Sequence, residues 1–146
     1  MTDFVEAFRE GAARSDRMFW LDGGGARPWS GRRSMIGVLD EDDVSLTYDA
    51  GSRVVLRHQA GTAEPIGDDV FAALETEVAK DAGDPQVSWV GYFGYASRSD
   101  LPARAAVGTP DAVWMRVRDP LVVEHDPVES AAAQVPPPSE LEVPAA

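Results

Sequence analysis

The residues of this chain able to do proton, nucleophilic or metal chemistry are two histidines, several serines and 25 acidic side chains, with no cysteine. Their spacing assembles none of the familiar sites. His58 and His125 have no cysteine and no further histidine to complete a ligand set, so each reads as a surface or strand-end residue. Ser34 and Ser97 lack both a nucleophile-elbow context and a Ser-x-x-Lys partner. The acidic run Asp40-Glu41-Asp42-Asp43 has neither the central glycine nor the distal glutamate of a calcium loop, and reads as a solvated hairpin turn. Gly23-Gly24-Gly25 would suit an anion cradle made of backbone N–H groups. Without the Lys-Ser/Thr ending of a phosphate loop it reads as a flexible turn. No catalytic residue and no metal site is expected.

The elements that would position these groups follow from periodicity. Phe4, Val5, Phe8 and Ala12 recur at helical spacing over Thr2 to Ala13, with Thr2 as the expected N-cap. Strands are expected over Arg17–Leu21, Ser34–Leu39, Val44–Tyr48 and Arg53–Arg57, the last three separated by two hairpin-type turns at Asp40–Asp43 and Asp49–Ser52. In the third, Val44, Leu46 and Tyr48 alternate with Ser45 and Thr47, so it should cover a core on one face only. Asp68–Lys80 is the clearest helix, capped by Asp68, with Val70, Phe71, Leu74 and Val78 on one face and Glu75 and Glu77 elsewhere. Val87–Tyr95 is apolar on both faces and is expected to be an interior strand. Ala112–Val117 and Leu121–Glu124 complete the strands. The aromatic set Trp20, Trp29, Trp89, Tyr92, Phe93, Tyr95 and Trp114 is expected to be core. These elements give an α+β domain over residues 1–126, a mostly antiparallel sheet with packed helices. Residues 127–146, rich in proline and alanine with scattered glutamate, form a tail too poor in apolar residues to fold alone and are expected to be disordered.

Glycine inside a strand is normally unfavourable, so glycines within apolar runs mark places where another backbone or a ligand comes close. Three such blocks occur in order: Leu21-Asp22-Gly23, Gly31 to Gly37 (Gly-Arg-Arg-Ser-Met-Ile-Gly), and Gly91-Tyr92-Phe93-Gly94-Tyr95. Pro110-Asp111-Ala112 then opens an apolar strand running towards His125-Asp126. In this serial order the blocks resemble the N-terminal domain of the chorismate-using aminases, aminodeoxychorismate synthase component I and anthranilate synthase component I. There a Leu-Glu-Ser or Leu-Asp-Ser strand end precedes a Gly-Arg-Tyr-Ser-Phe-Ile-Gly-like strand and a Gly-Tyr-x-Gly-Tyr block. The resemblance covers Phe19 to Asp126.

The resemblance implies the first part of an αββα two-sheet architecture. It implies a non-catalytic domain or fragment, because chorismate binding, the Mg2+ ion and the acid–base residues of that family lie in a C-terminal portion this chain does not contain; no cofactor is expected in the chain itself. The implied partners are that chorismate-binding catalytic domain or subunit and a glutamine amidotransferase subunit. An amino-acid pocket of the family would map onto Leu21, Asp22, Gly23, Arg33 and Ser34, and the block Gly91, Tyr92, Gly94 and Tyr95 onto a structural or interface motif. Gly23 replaces a serine hydroxyl and Arg33 an aromatic wall, so tryptophan binding is not expected and the aminodeoxychorismate branch is favoured. The anthranilate branch and a stand-alone binding module are the alternatives.

Composition bounds the partners. With 146 residues the chain fits one domain, and it carries 13 basic against 25 acidic residues for a net charge of −12. Such a surface repels nucleic-acid phosphates and anionic lipid, so neither nucleic acid nor membrane is an expected partner. Arg27, Arg32 and Arg33 form the basic cluster beside the motif blocks, and Lys80 is the single lysine. Short, charge-interrupted apolar runs and an acidic start support neither a membrane span nor a signal peptide, and a cytoplasmic location is expected.

Overall fold

A computed structural model describes residues 3–23 and 32–125. Outside the described residues lie Thr2, most of the Gly23–Gly25 turn, Arg27, Trp29, Gly31, Asp126 and the 127–146 tail. Among the described residues the architecture is α+β, with every strand pair antiparallel.

The first layer starts at helix α1 (Phe4–Arg14). Its cap is Asp3, not Thr2: the Asp3 carboxylate accepts from the N–H groups of Val5 and Glu6 at 2.9 and 3.3 Å. Phe4 and Phe8 lay their rings on Trp20, with centroids 6.3 and 5.4 Å away. The helix thereby covers a three-stranded sheet of order β1 (Met18–Leu21), β2 (Arg33–Val38), β8 (Leu121–Glu124). Gly37 sits opposite Phe19 in the β1–β2 register, and a Cβ there would run into the Phe19 ring. The missing side chain is what lets the ring lie flat across the strand.

The second sheet has five strands in the order β5-β4-β3-β7-β6. These are β3 (Ser45–Asp49), β4 (Val54–Gln59), β5 (Thr62–Gly67), β6 (Val87–Phe93) and β7 (Ala112–Arg118). The Asp40–Asp43 turn is therefore no hairpin, because it carries the chain from β2 in one sheet to β3 in the other. Arg17 secures this crossing, donating to the carbonyls of Asp40, Glu41, Asp43 and His58 and to the Ser45 hydroxyl. The return from β7 to β8 is tighter, turning through Asp119 at φ 49° and Pro120.

Helix α2 (Val70–Lys80) lies on the outer face of the second sheet and is capped by Asp69, not Asp68. Of the expected apolar face only Val70 is fully buried, against Tyr48, Val55 and Ala112. Phe71 and Val78 stay 41 and 40 % exposed. Glu77, expected off the apolar face, is buried, because Arg57 of β4 and Lys80 hold its carboxylate at 3.1 and 2.6 Å. Between the sheets, Phe19, Leu39 and Val117 form a second core with Met35, Val90 and Met115. Ser45, on the face opposite Leu46 and Tyr48, is buried as well, so the central strand β3 is covered on both faces at its start, while Thr47 further along that second face is only half-buried.

Two further expectations are corrected. Val87–Tyr95 is not an interior strand: β6 ends at Phe93, pairs among the described residues with β7 alone, and stands at the sheet edge, with Tyr95–Ser97 forming a 3-10 turn. Its aromatic residues are accordingly not all core, Tyr92, Phe93 and Tyr95 being 48, 38 and 82 % exposed. Strand β5 is an addition to the expected elements, since Glu64, Pro65 and the flanking glycine hide its period. Its hairpin with β4 turns through Ala60 and Gly61 at φ 51° and 72°, between the Gln59–Thr62 pair. A two-residue loop with both central residues left-handed favours asparagine before glycine. Ala60→Asn should therefore raise stability by about 0.5–1 kcal/mol in urea denaturation with an unchanged m-value.

Candidate functional site

The ends of β1, β2 and β8 converge on one hydroxyl. Ser34, only 2 % exposed, has its Oγ 2.6 Å from His125 Nε2 and 3.0 Å from Asp22 Oδ1, and accepts the Gly23 N–H at 3.1 Å. A serine hydroxyl has a single proton, and a carboxylate can only accept. Ser34 therefore donates to Asp22, while His125 donates from Nε2 to Ser34. Backbone pairing supports the knot, His125 N–H donating to the Arg32 carbonyl at 2.6 Å. Serine, histidine and aspartate are thus adjacent, but their contacts among the described residues are not those of a catalytic triad. Both partners act on the serine oxygen, whereas a triad needs the acid on the far imidazole nitrogen and an accessible hydroxyl that gives its proton to histidine.

The residues singled out for an amino-acid pocket divide. Asp22, Gly23 and Ser34 meet at the knot. Arg33 alternates to the other face of β2, the face of Met35 and of Leu21, and its guanidinium pairs with Glu124 at 2.8 Å in the open. Leu21 is 49 % exposed. Strand alternation, with its period of two, places neighbouring residues Arg33 and Ser34 on opposite sides.

The second motif folds into a clamp. Gly94 donates its N–H to the Asp111 carbonyl at 2.7 Å, and a Cβ on Gly94 would stand 2.7 Å from that same oxygen. At Gly91 a Cβ would overlap the Val113 carbonyl and the Trp114 backbone. Tyr92 donates its hydroxyl to the Pro110 carbonyl at 2.8 Å, and Ser97 Oγ to the Asp111 carbonyl at 3.1 Å, while the Tyr95 ring projects outward. The buried Asp111 carboxylate accepts from the N–H groups of Ala50 and Ala106, each at 2.7 Å. Gly91–Tyr95 and Pro110–Ala112 are one structure, and the close approach the glycines permit is to backbone.

The ionic groups are likewise occupied with packing. Arg116 on β7 holds Asp81 through two bonds at 2.8 and 2.9 Å and Asp43 at 3.1 Å, and Trp89 Nε1 donates to Asp81 at 3.0 Å. These hydrogen bonds, the Arg116 guanidinium first, hold the Asp81 carboxyl below its ordinary range and raise Arg116 in turn. His58 is pushed down, first by burial and then by the Arg17 charge, and its Nε2 lies 2.8 Å from Thr47 Oγ1. A cavity of about 440 Å³ lies over Thr47, Val54, Leu56 and Pro110. The one carboxylate on its wall, Asp49, already accepts from the Ser52 N–H and hydroxyl. Among the described residues no group of three or more metal-ligating side chains is placed to hold an ion. Nor is any helix among them long and apolar enough to cross a membrane.

Sequence reasoning names Asp111 as part of a motif without revealing its carboxylate as a hub, and it passes over Arg17, Glu77 and Arg116. Arginines on otherwise apolar strands, as at Arg57 and Arg116, are the available signal for buried ion pairs. No protein-family model matches the chain, and no curated protein matches it.

Two measurements test these assignments. Ser34→Ala removes the partner that Gly23, Asp22 and His125 share and should lower stability by about 1–3 kcal/mol in chemical denaturation. For His58 the folded protein binds its proton more weakly than the unfolded chain, so its contribution is complete above the unfolded value of 6.5 and is lost as pH falls towards the lowered folded value. Between roughly pH 7.5 and 5.5 the stability of the protein should fall more steeply than that of His58→Gln.

Proposed function

We propose that the chain is a non-catalytic N-terminal domain of an aminodeoxychorismate synthase component I, corresponding to the first part of the αββα architecture. In this reading it supports amination of chorismate to 4-amino-4-deoxychorismate, on the route to 4-aminobenzoate and folate, by covering a separate catalytic domain. That domain, with its Mg2+ and acid–base residues, and a glutamine amidotransferase subunit are the proposed partners.

The observation that carries the reading is the union of motifs distant in sequence. Leu21-Asp22-Gly23 meets Ser34 in the first sheet, and Gly94 meets Asp111 in the second. Serial order alone is a weak signal, but blocks that also share hydrogen bonds act as one structural set. The inner face of the second sheet adds to this. Met115, Val117 and Val90 there pack on the first sheet, whereas Val54, Leu56 and Thr47, on the same face, border an open cavity. A sheet half covered in this way accommodates a further layer.

The test is to mix the purified chain with a catalytic-domain polypeptide of an aminodeoxychorismate synthase lacking its own N-terminal part, and to follow ammonia-dependent amination of chorismate. Restored activity, unchanged by added tryptophan, is the expected result. A chain that neither associates nor restores turnover would overturn the reading, and inhibition by tryptophan would move it to the anthranilate branch.

A further inference from the structure

The two edges of the five-stranded sheet are built differently. Edge strand β5 carries Glu64 and Pro65 and exposes all six of its residues. Charge, proline and shallow burial are the usual means by which proteins stop an edge from recruiting another strand. Edge strand β6 has neither the charge nor the proline. It runs for seven residues, Val-Ser-Trp-Val-Gly-Tyr-Phe, without a charged side chain or a proline, and its exposed end bears Tyr92 and Phe93. Its outward N–H and C=O groups face no strand among the described residues.

We propose that β6 is a self-pairing edge, through which two copies of this chain join antiparallel into one continuous sheet. Side-chain size along the strand supplies the reason for a second copy as the occupant. Full-length antiparallel pairing of β6 with itself puts Val90 on the two-fold axis, Trp89 opposite Gly91, Ser88 opposite Tyr92 and Val87 opposite Phe93. Each of the three aromatic residues then meets a smaller one: Phe93 faces a β-branched partner, and Trp89 covers Gly91 as an aromatic ring covers a cross-strand glycine. A shift of two residues either way breaks this, setting Trp89 against Phe93 in one direction and Trp89 against Trp89 in the other. The interface is isologous and closes after two copies. A chain of net charge −12 would repel itself over most of its surface, and β6 offers an approach without charged side chains. A seven-residue edge is smaller than an obligate interface, so the dimer is reversible. The inference does not depend on the chorismate reading, which uses the inner face of the sheet.

The chain contains no cysteine, so a single introduced thiol reports on one contact. Directly opposed residues of an antiparallel pair are about 4.5–5.5 Å apart at Cα, within disulfide reach. Under mild oxidation Val90→Cys should give a disulfide-linked dimer, while Ala63→Cys on the blocked edge β5 should not. Sedimentation of the unmodified chain at high micromolar concentration should show twice the monomer mass. The double variant Tyr92→Lys, Phe93→Lys, checked for native circular dichroism, should sediment as a monomer. A chain that stays monomeric at those concentrations overturns the proposal. So does a dimer in which the Val90→Cys variant crosslinks no faster than the Ala63→Cys variant, since another face would then hold the copies together.

Discussion

The arrangement depends most heavily on one buried carboxylate and the peptide beside it. Asp111, 4 % exposed, stands at the entrance to β7 and is satisfied by backbone rather than by a cation. Its two oxygens fix the β3–β4 turn at Ala50 and the long loop at Ala106, and its N–H reaches the Tyr48 carbonyl at 2.8 Å. Its carbonyl meanwhile fixes Gly94 and Ser97. A charged acceptor holding backbone donors makes hydrogen bonds roughly twice as strong as neutral ones. β7 follows immediately and pairs with β3 on one side and β6 on the other. Four chain segments are thereby referenced to a single residue, and the register of the sheet centre is set where β7 begins.

The far end of β7 is handled by ions instead. Arg116 ties the loop after α2, the turn between the sheets and Trp89 into one network, and Glu77 with Arg57 and Lys80 forms another beneath α2. Taking charges out of water is expensive, so such groups persist only where each is paired and hydrogen-bonded. That condition is met here, and α2 rests on the sheet through polar as well as apolar contacts. The same condition explains how this strongly acidic chain places arginines between its layers: Arg17, Arg57 and Arg116 act as fasteners. Arg17 does for carbonyls what Arg116 does for carboxylates.

Much of the fold was readable because burial imposed a period. The strand through Leu46 and Tyr48 and the Phe4–Phe8 pair of α1 survive in the structure, although Val5 and Ala12 of the same repeat are exposed and Gly11 is buried, and the face assignment of β6 agrees with its pairing to β7. What escaped was decided by partners distant in sequence. Whether Val87–Phe93 is central or at an edge depends on which strands flank it, and apolar residues on both faces suit an uncapped edge as well as an interior strand. Glu77 looked like a surface residue because nothing in its own helix reveals Arg57. Of the Ser34 knot, the resemblance grouped Asp22, Gly23 and Ser34, but nothing in the sequence brought His125 to them; only the sheet order β1-β2-β8 does that.

A glycine in an aromatic strand leaves two explanations open, a ligand or a neighbouring backbone, and composition does not separate them. The structure does so by what stands where each Cβ would be. At Gly91 and Gly94 that space holds the backbone of β7 and of Asp111, and at Gly37 it holds the Phe19 ring. All three are filled from within the chain. Motif glycines of this kind therefore report how closely the layers are drawn together, and any ligand or partner must be sought at surfaces the fold leaves uncovered. Two such surfaces among the described residues are the half-open inner face at Val54 and Leu56 and the aromatic edge at Tyr92 and Phe93. Both are sheet surfaces, one a face and one an edge, so both are suited to receiving another polypeptide layer or strand.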